Sequence, residues 1–138
     1  MKENPFILSI ETSCDETSAA ITQGPKVLSN VISSQIQHEA YGGVIPELAS
    51  RLHQQHILKV VEKSLKDASV EKKMLDAIAV TQGPGLMGAL LVGNSFAKAL
   101  AYGLNIPLIL VHHMNAHVLA NFLTDTHPFF PLICLTVS

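Results

Sequence analysis

The sequence predicts an α/β protein built on a mixed five-stranded sheet flanked by helices. Two observations carry this. Three short apolar stretches joined by tight polar turns occupy the first 36 residues, as in an antiparallel meander. The rest alternates strand and helix, and a strand–helix–strand order calls for parallel pairing. With 138 residues the chain is long enough for one domain with a real core, and 48% hydrophobic against 14% charged residues means that much of it must be buried.

Residues 7–11 (ILSIE) read as a first buried strand, and 12–18 (TSCDETS) as a polar turn. Residues 19–22 form a second strand, closed by the Gly24-Pro25 turn, and 27–36 a third. The irregular apolar spacing of Val27, Val31 and Ile36 implies a bulge or bend. After the loop 37–43 the period changes. Leu48, Ala49, Leu52, Ile57, Val60, Val61, Leu65 and Ala68 recur at helical spacing, and Pro46 suits the first turn, so a helix spans 46–68. A fourth strand at 76–82, a second helix at 85–102, a fifth strand at 107–111 and a short helix at 114–123 follow. Residues 131–138 (PLICLTVS) read as one more apolar strand, the first of a truncated second lobe, which leaves 1–130 as the first lobe.

Composition excludes several classes. A net charge of −2 gives no basic stripe of the sort a stand-alone nucleic-acid binder carries. Cys14 and Cys134 form neither a CxxC pair nor a disulfide framework, so reduced thiols in a cytoplasm are expected. The N-terminus shows no signal-peptide pattern. The apolar run 85–104 carries Asn94, Ser95 and Lys98 at its centre, which favours a buried helix over a membrane span.

Three motifs could carry chemistry. The hairpin 11–18 crowds Glu11, Asp15 and Glu16 among Thr12, Ser13 and Thr17. It could hold a cation or a phosphate, or orient a reacting group; it could also be an ordinary polar turn. Gly83 and Gly85 follow a strand and open a helix, where backbone N–H groups favour anions. They match neither a P-loop nor GxGxxG, and the small residues Gly88, Ala89 and Gly93 that follow could serve close helix–sheet packing instead or as well. His113 and His117 stand at i and i+4 in an otherwise apolar segment, so one helix face presents both imidazoles, as the two zinc ligands of HExxH are presented. His112 lies about a hundred degrees round the same helix and cannot join them. Two histidines do not close a metal site, and further ligands must come from the Asp15 hairpin or from beyond Ser138. Where HExxH has its general base this chain has Met114, which weighs against peptide hydrolysis.

Taken together, residues 9–21 (SIETSCDETSAAI), 41–56 (YGGVIPELASRLHQQH), 81–101 (TQGPGLMGALLVGNSFAKALA) and 111–120 (VHHMNAHVLA) resemble the TsaD family of tRNA N6-adenosine threonylcarbamoyltransferases, once described as O-sialoglycoprotein endopeptidases. The resemblance implies an actin-like (ASKHA) lobe with ribonuclease-H-like topology. It implies transfer of threonylcarbamoyl from threonylcarbamoyl-AMP to N6 of the adenosine beside the anticodon, in tRNAs reading ANN codons. It implies one divalent metal, Fe2+ or alternatively Zn2+, whose protein ligands in this chain are His113 and His117, with a third in the C-terminal lobe. The family's sensitive aspartate falls on Asp15, beside Glu16, and its substrate loop starts at Thr136, Val137 and Ser138. The implied partners are tRNA, the actin-like paralogue TsaB and the ATPase TsaE, with self-association through helices 46–68 and 85–102 a further expectation. Two other readings compete: a metal-dependent glycoprotein endopeptidase, and a non-catalytic actin-like partner subunit, which would not need the His113/His117 pair.

Overall fold

The computed structural model describes residues 3–123 and 128–136. The meander comprises β1 (Phe6–Glu11), β2 (Glu16–Gln23) and β3 (Lys26–Ser34). Then come α1 (Pro46–Asp67), β4 (Ala77–Gly83), α2 (Met87–Leu104), β5 (Leu108–His112) and α3 (His113–Ala120). The sheet order is β3-β2-β1-β4-β5. β1–β2 and β2–β3 pair antiparallel, whereas β1–β4 and β4–β5 pair parallel. The mixed five-stranded sheet anticipated from the alternation is therefore present, and β1 and β4 at its centre carry the change of direction.

The pleat sorts the side chains. Leu8, Ile10, Ala19, Ile21, Ile78 and Val80 point to one face and are almost fully buried. Against them pack Ile57, Val60, Val61 and Leu65 of α1 and Ala97 and Ala101 of α2, in one continuous core. α2 approaches closely because its buried stripe is Ala89, Gly93, Ala97 and Ala101, one small residue per turn. Its polar centre is also accounted for: the Asn94 side-chain amide donates to the Thr81 carbonyl at 3.0 Å and to the Leu90 carbonyl at 2.9 Å. Among the described residues no helix is long and apolar enough to cross a membrane.

Several boundaries differ from the sequence reading for local reasons. The irregular spacing in β3 comes from a register shift: Ser29 faces Ile21 and Val27 faces Thr22, so Leu28 is the extra residue. The loop after β3 contains a 3-10 turn over Ile36–Tyr41. α3 starts at His113 and stops at Ala120, short of 123. The Asn121 side chain donates to the carbonyls of His117 and Val118 at 3.2 and 3.1 Å, and so closes the helix end. Of the stretch expected as the first strand of a second lobe, residues 132–136 are described and join no ladder among the described residues. A strand exists only by pairing, and among the described residues no neighbour offers these backbone groups a partner.

Candidate functional site

The site forms at the carboxyl ends of β1, β4 and β5, where ligands bind in open α/β sheets. β1 ends on Glu11, β4 passes through Thr81, and β5 hands the chain directly to α3, so His113 emerges beside them. On the sheet face opposite the α1/α2 core lies an open groove of about 480 Å3, lined by Glu11, Ser18, Thr81, His113, Ala116 and His117 among others.

The two imidazoles meet in this groove. His113 Nε2 and His117 Nε2 are 3.0 Å apart, and the rings stand edge to face with centroids 4.5 Å apart. One helical turn separates the residues, as their spacing requires. His112 is the last residue of β5, exposed, and takes no part. The other nitrogen of His113, Nδ1, lies 3.3 Å from Glu11 Oε2 and 3.3 Å from Ser13 Oγ. Glu11 is held in turn: its carboxylate accepts from the Ser13 backbone N–H and from the Thr81 hydroxyl. Burial raises the Glu11 carboxyl, but these hydrogen bonds, with that of His113, outweigh it and leave the group below its ordinary range. Glu11 is therefore ionised at neutral pH.

The hairpin tip is fixed from behind by α1. His53 is fully buried; its Nε2 donates to the Cys14 carbonyl at 2.9 Å, and the Thr17 hydroxyl donates to its Nδ1 at 2.8 Å. Burial lowers the His53 pKa, so the ring is neutral, which fits this donor–acceptor pattern. Asp15 is half-buried on this tip, two residues beyond Ser13, and its carbonyl accepts from the Gln35 N–H at 3.2 Å. Glu16 lies at the exposed end of β2, where it accepts from Ser34 Oγ at 3.0 Å. Partial burial, then Asp15, raises the Cys14 thiol, so Cys14 has no thiolate character that would make it a nucleophile.

Gly85 brings the start of α2 onto the hairpin, whereas a Cβ on Gly83 would meet only Leu90 Cδ1 at 3.8 Å. The Leu86 N–H donates to the Ser13 carbonyl at 2.7 Å, and a Cβ on Gly85 would stand 2.6 Å from that oxygen. Close packing is thus an actual requirement at Gly85, and one N–H of the helix start is already engaged. Thr136 lines a second groove of about 390 Å3 with His117 and Asn121, while Val137 and Ser138 lie outside the described residues. Among the described residues no group of three or more His, Cys, Asp or Glu is placed to hold a metal ion. The two Nε2 atoms of His113 and His117 are a donor pair of the kind metals take, and by themselves fewer than a metal site uses.

Glu11, Thr81 and His53 were not singled out from sequence as site residues. Glu11 stood in the polar hairpin, but its link to His113 spans 102 positions, that to Thr81 spans 70, and His53 meets Thr17 across 36. No local period encodes such pairs.

The fold is shared with a solved protein. YeaZ from Pseudomonas aeruginosa superposes with a TM-score of 0.68 over 86% of this chain and 48% of its own, at 24% identity. Sequence comparison goes further. The family profile described as TsaD, tRNA N6-adenosine threonylcarbamoyltransferase, matches residues 26–138. A protein of that name from Porphyromonas gingivalis is 56% identical over 143 aligned residues, covering 100% of this chain and 42% of the relative. Another, from Cytophaga hutchinsonii, is 58% identical over 132 residues, 96% of this chain and 38% of the relative. The chain belongs to the TsaD family of transferases, and it spans about two fifths of the length of these curated relatives.

Proposed function

We propose that this chain is the N-terminal lobe of a tRNA N6-adenosine threonylcarbamoyltransferase, with residues 131–138 leading into a second lobe. The observation that carries the reading is the pair of facing imidazoles, Nε2 to Nε2 at 3.0 Å, beside a carboxylate-rich hairpin. Family membership supplies the reaction to which such a site is put.

In that reaction the N6 amine of the adenosine attacks the carbamoyl carbon of threonylcarbamoyl-AMP. The N–C bond forms, the C–O bond to the adenylate phosphate breaks, and AMP departs. The amine proton passes to a carboxylate, for which we assign Asp15 on the hairpin tip, with Glu16 as its neighbour. His113 and His117 would hold one divalent metal, Fe2+ or alternatively Zn2+, together with a ligand from the second lobe. When bound, the metal supplies Lewis acidity toward the donor's carbonyl and phosphate oxygens. The start of α2 at Gly83 and Gly85 is where an anionic group gains from the helix dipole. Thr136, Val137 and Ser138 would begin the loop that seats the donor. The partners we assign are tRNA, TsaB and TsaE, and the compartment is the cytoplasm.

The test uses the chain in its complete protein, with TsaB, TsaE, threonylcarbamoyl-AMP and tRNA supplied and the modified nucleoside quantified by mass spectrometry. Threonylcarbamoylated adenosine that disappears in Asp15→Ala is the expected result. Unmodified tRNA with the active-metal wild type, or an Asp15→Ala protein of full activity, would sink the reading.

A further inference from the structure

We infer that Glu11 is a positioning residue that fixes the tautomer of His113, presetting its Nε2 lone pair toward the groove before any metal arrives. The inference rests on the metal reading above and adds the residue that makes His113 a ready ligand. The geometry is as follows. Nδ1 of His113 lies 3.3 Å from Glu11 Oε2. An ionised carboxylate is an acceptor only, so a neutral His113 must carry its proton on Nδ1 to bond it. Ser13 Oγ, also at 3.3 Å, can accept from the same N–H. With the proton on Nδ1, Nε2 is bare and points at His117 Nε2, 3.0 Å away.

His117 then differs from its neighbour. In the metal-free protein its Nε2–H donates to the bare Nε2 of His113, so its lone pair is not yet available. Metal entry therefore requires a proton rearrangement at His117 and none at His113. A histidine ligand whose second nitrogen is bound to a carboxylate is the usual arrangement around metals, and loss of the carboxylate weakens metal binding by roughly 10- to 100-fold. Glu11 suits the part because Thr81 and the Ser13 N–H immobilise it from two sides.

The experiment is long-range proton–nitrogen NMR of the imidazoles in the 15N-labelled, metal-free chain at pH 8. His113 should appear as the Nδ1–H tautomer and His117 as the Nε2–H tautomer. In Glu11→Gln the His113 signals should move toward a tautomer mixture, whereas Ser13→Ala should leave them unchanged. A wild-type His113 carrying its proton on Nε2 overturns the inference without any variant, so a Glu11 variant that fails to fold does not protect it. Release of the tautomer by Ser13→Ala and not by Glu11→Gln would assign the role to Ser13 instead. A Zn2+ titration on the same signals separates the two levels. A Kd raised at least about ten-fold in Glu11→Gln supports the inference, and equal affinity overturns it. Wild-type signals indifferent to Zn2+, with the tautomers as stated, would remove the metal reading and with it the purpose of the preset.

Discussion

His53 sits between the Cys14 carbonyl and the Thr17 hydroxyl with no exposed surface, so one ring of α1 ties together two points of the hairpin tip. Replacing it by Ala leaves both partners unsatisfied and should cost about 1–3 kcal/mol, read as a lower urea midpoint. The pH dependence has a definite sign. Burial holds the folded-state pKa of His53 below its ordinary 6.5, so above pH 6.5 the ring is neutral in both states. As pH falls below that value the unfolded chain takes up the proton first, and stability is lost until the folded-state pKa is passed. The destabilisation caused by His53→Gln should therefore shrink between pH 7.5 and 5.5; a pH-independent difference would contradict it. Glu11 acts in another window: its carboxyl is depressed below 4.5, so its contribution is present above that pH and lost as pH falls through the folded value. At this scale the sequence was informative where chemistry is local. The i,i+4 spacing of His113 and His117 was enough to bring the imidazoles together, whereas Glu11, Thr81 and His53 acquire their partners only through the sheet order and the α1 packing.

Helix α2 meets the hairpin through glycines, and the two nearest its start differ in what surrounds them. A Cβ at Gly85 would fall 2.6 Å from the Ser13 carbonyl oxygen and 3.0 Å from Ser13 Cα, both backbone atoms that cannot yield separately. A Cβ at Gly88 would meet the Ser50 hydroxyl, the end of a side chain that can turn away, and Ser50 Cβ at an ordinary 3.4 Å. Gly85→Ala should thus cost about 1–3 kcal/mol and shift the His113 resonances through Ser13. Gly88→Ala should cost less and leave those resonances in place. Thermal melts and the imidazole spectra of the two variants provide the check, and equal effects would refute the packing account. The period of α1 was fully legible, its observed bounds being Pro46–Asp67. Legibility failed where an element depends on something outside itself. α3 ends early because Asn121 bonds back to His117 and Val118, and among the described residues 132–136 find no strand to pair with.

Over the whole molecule the buried and exposed apolar surfaces are divided unequally. The core uses one face of the sheet, while α2 leaves Met87 and Tyr102 almost fully exposed, and Phe129, Ile133 and Leu135 are likewise uncovered. Exposed apolar surface, where it is contiguous, marks contacts with other molecules. The chain alone should self-associate with rising concentration, through the α1/α2 face or through 131–138, and Leu91→Glu with Tyr102→Glu should shift sedimentation toward monomer. A monodisperse monomer at high concentration would contradict this. The chain alone should also be inactive, since the proposed site takes only two of its metal ligands and the beginning of one loop from it.

The most direct measurement is therefore made on the complete protein: threonylcarbamoyladenosine formed in tRNA by wild type and by the double variant His113→Ala, His117→Ala. The account predicts a loss of about 100-fold or more in the variant, with folding intact, because both ligands from this lobe are gone. A double variant that modifies tRNA at the wild-type rate would contradict it.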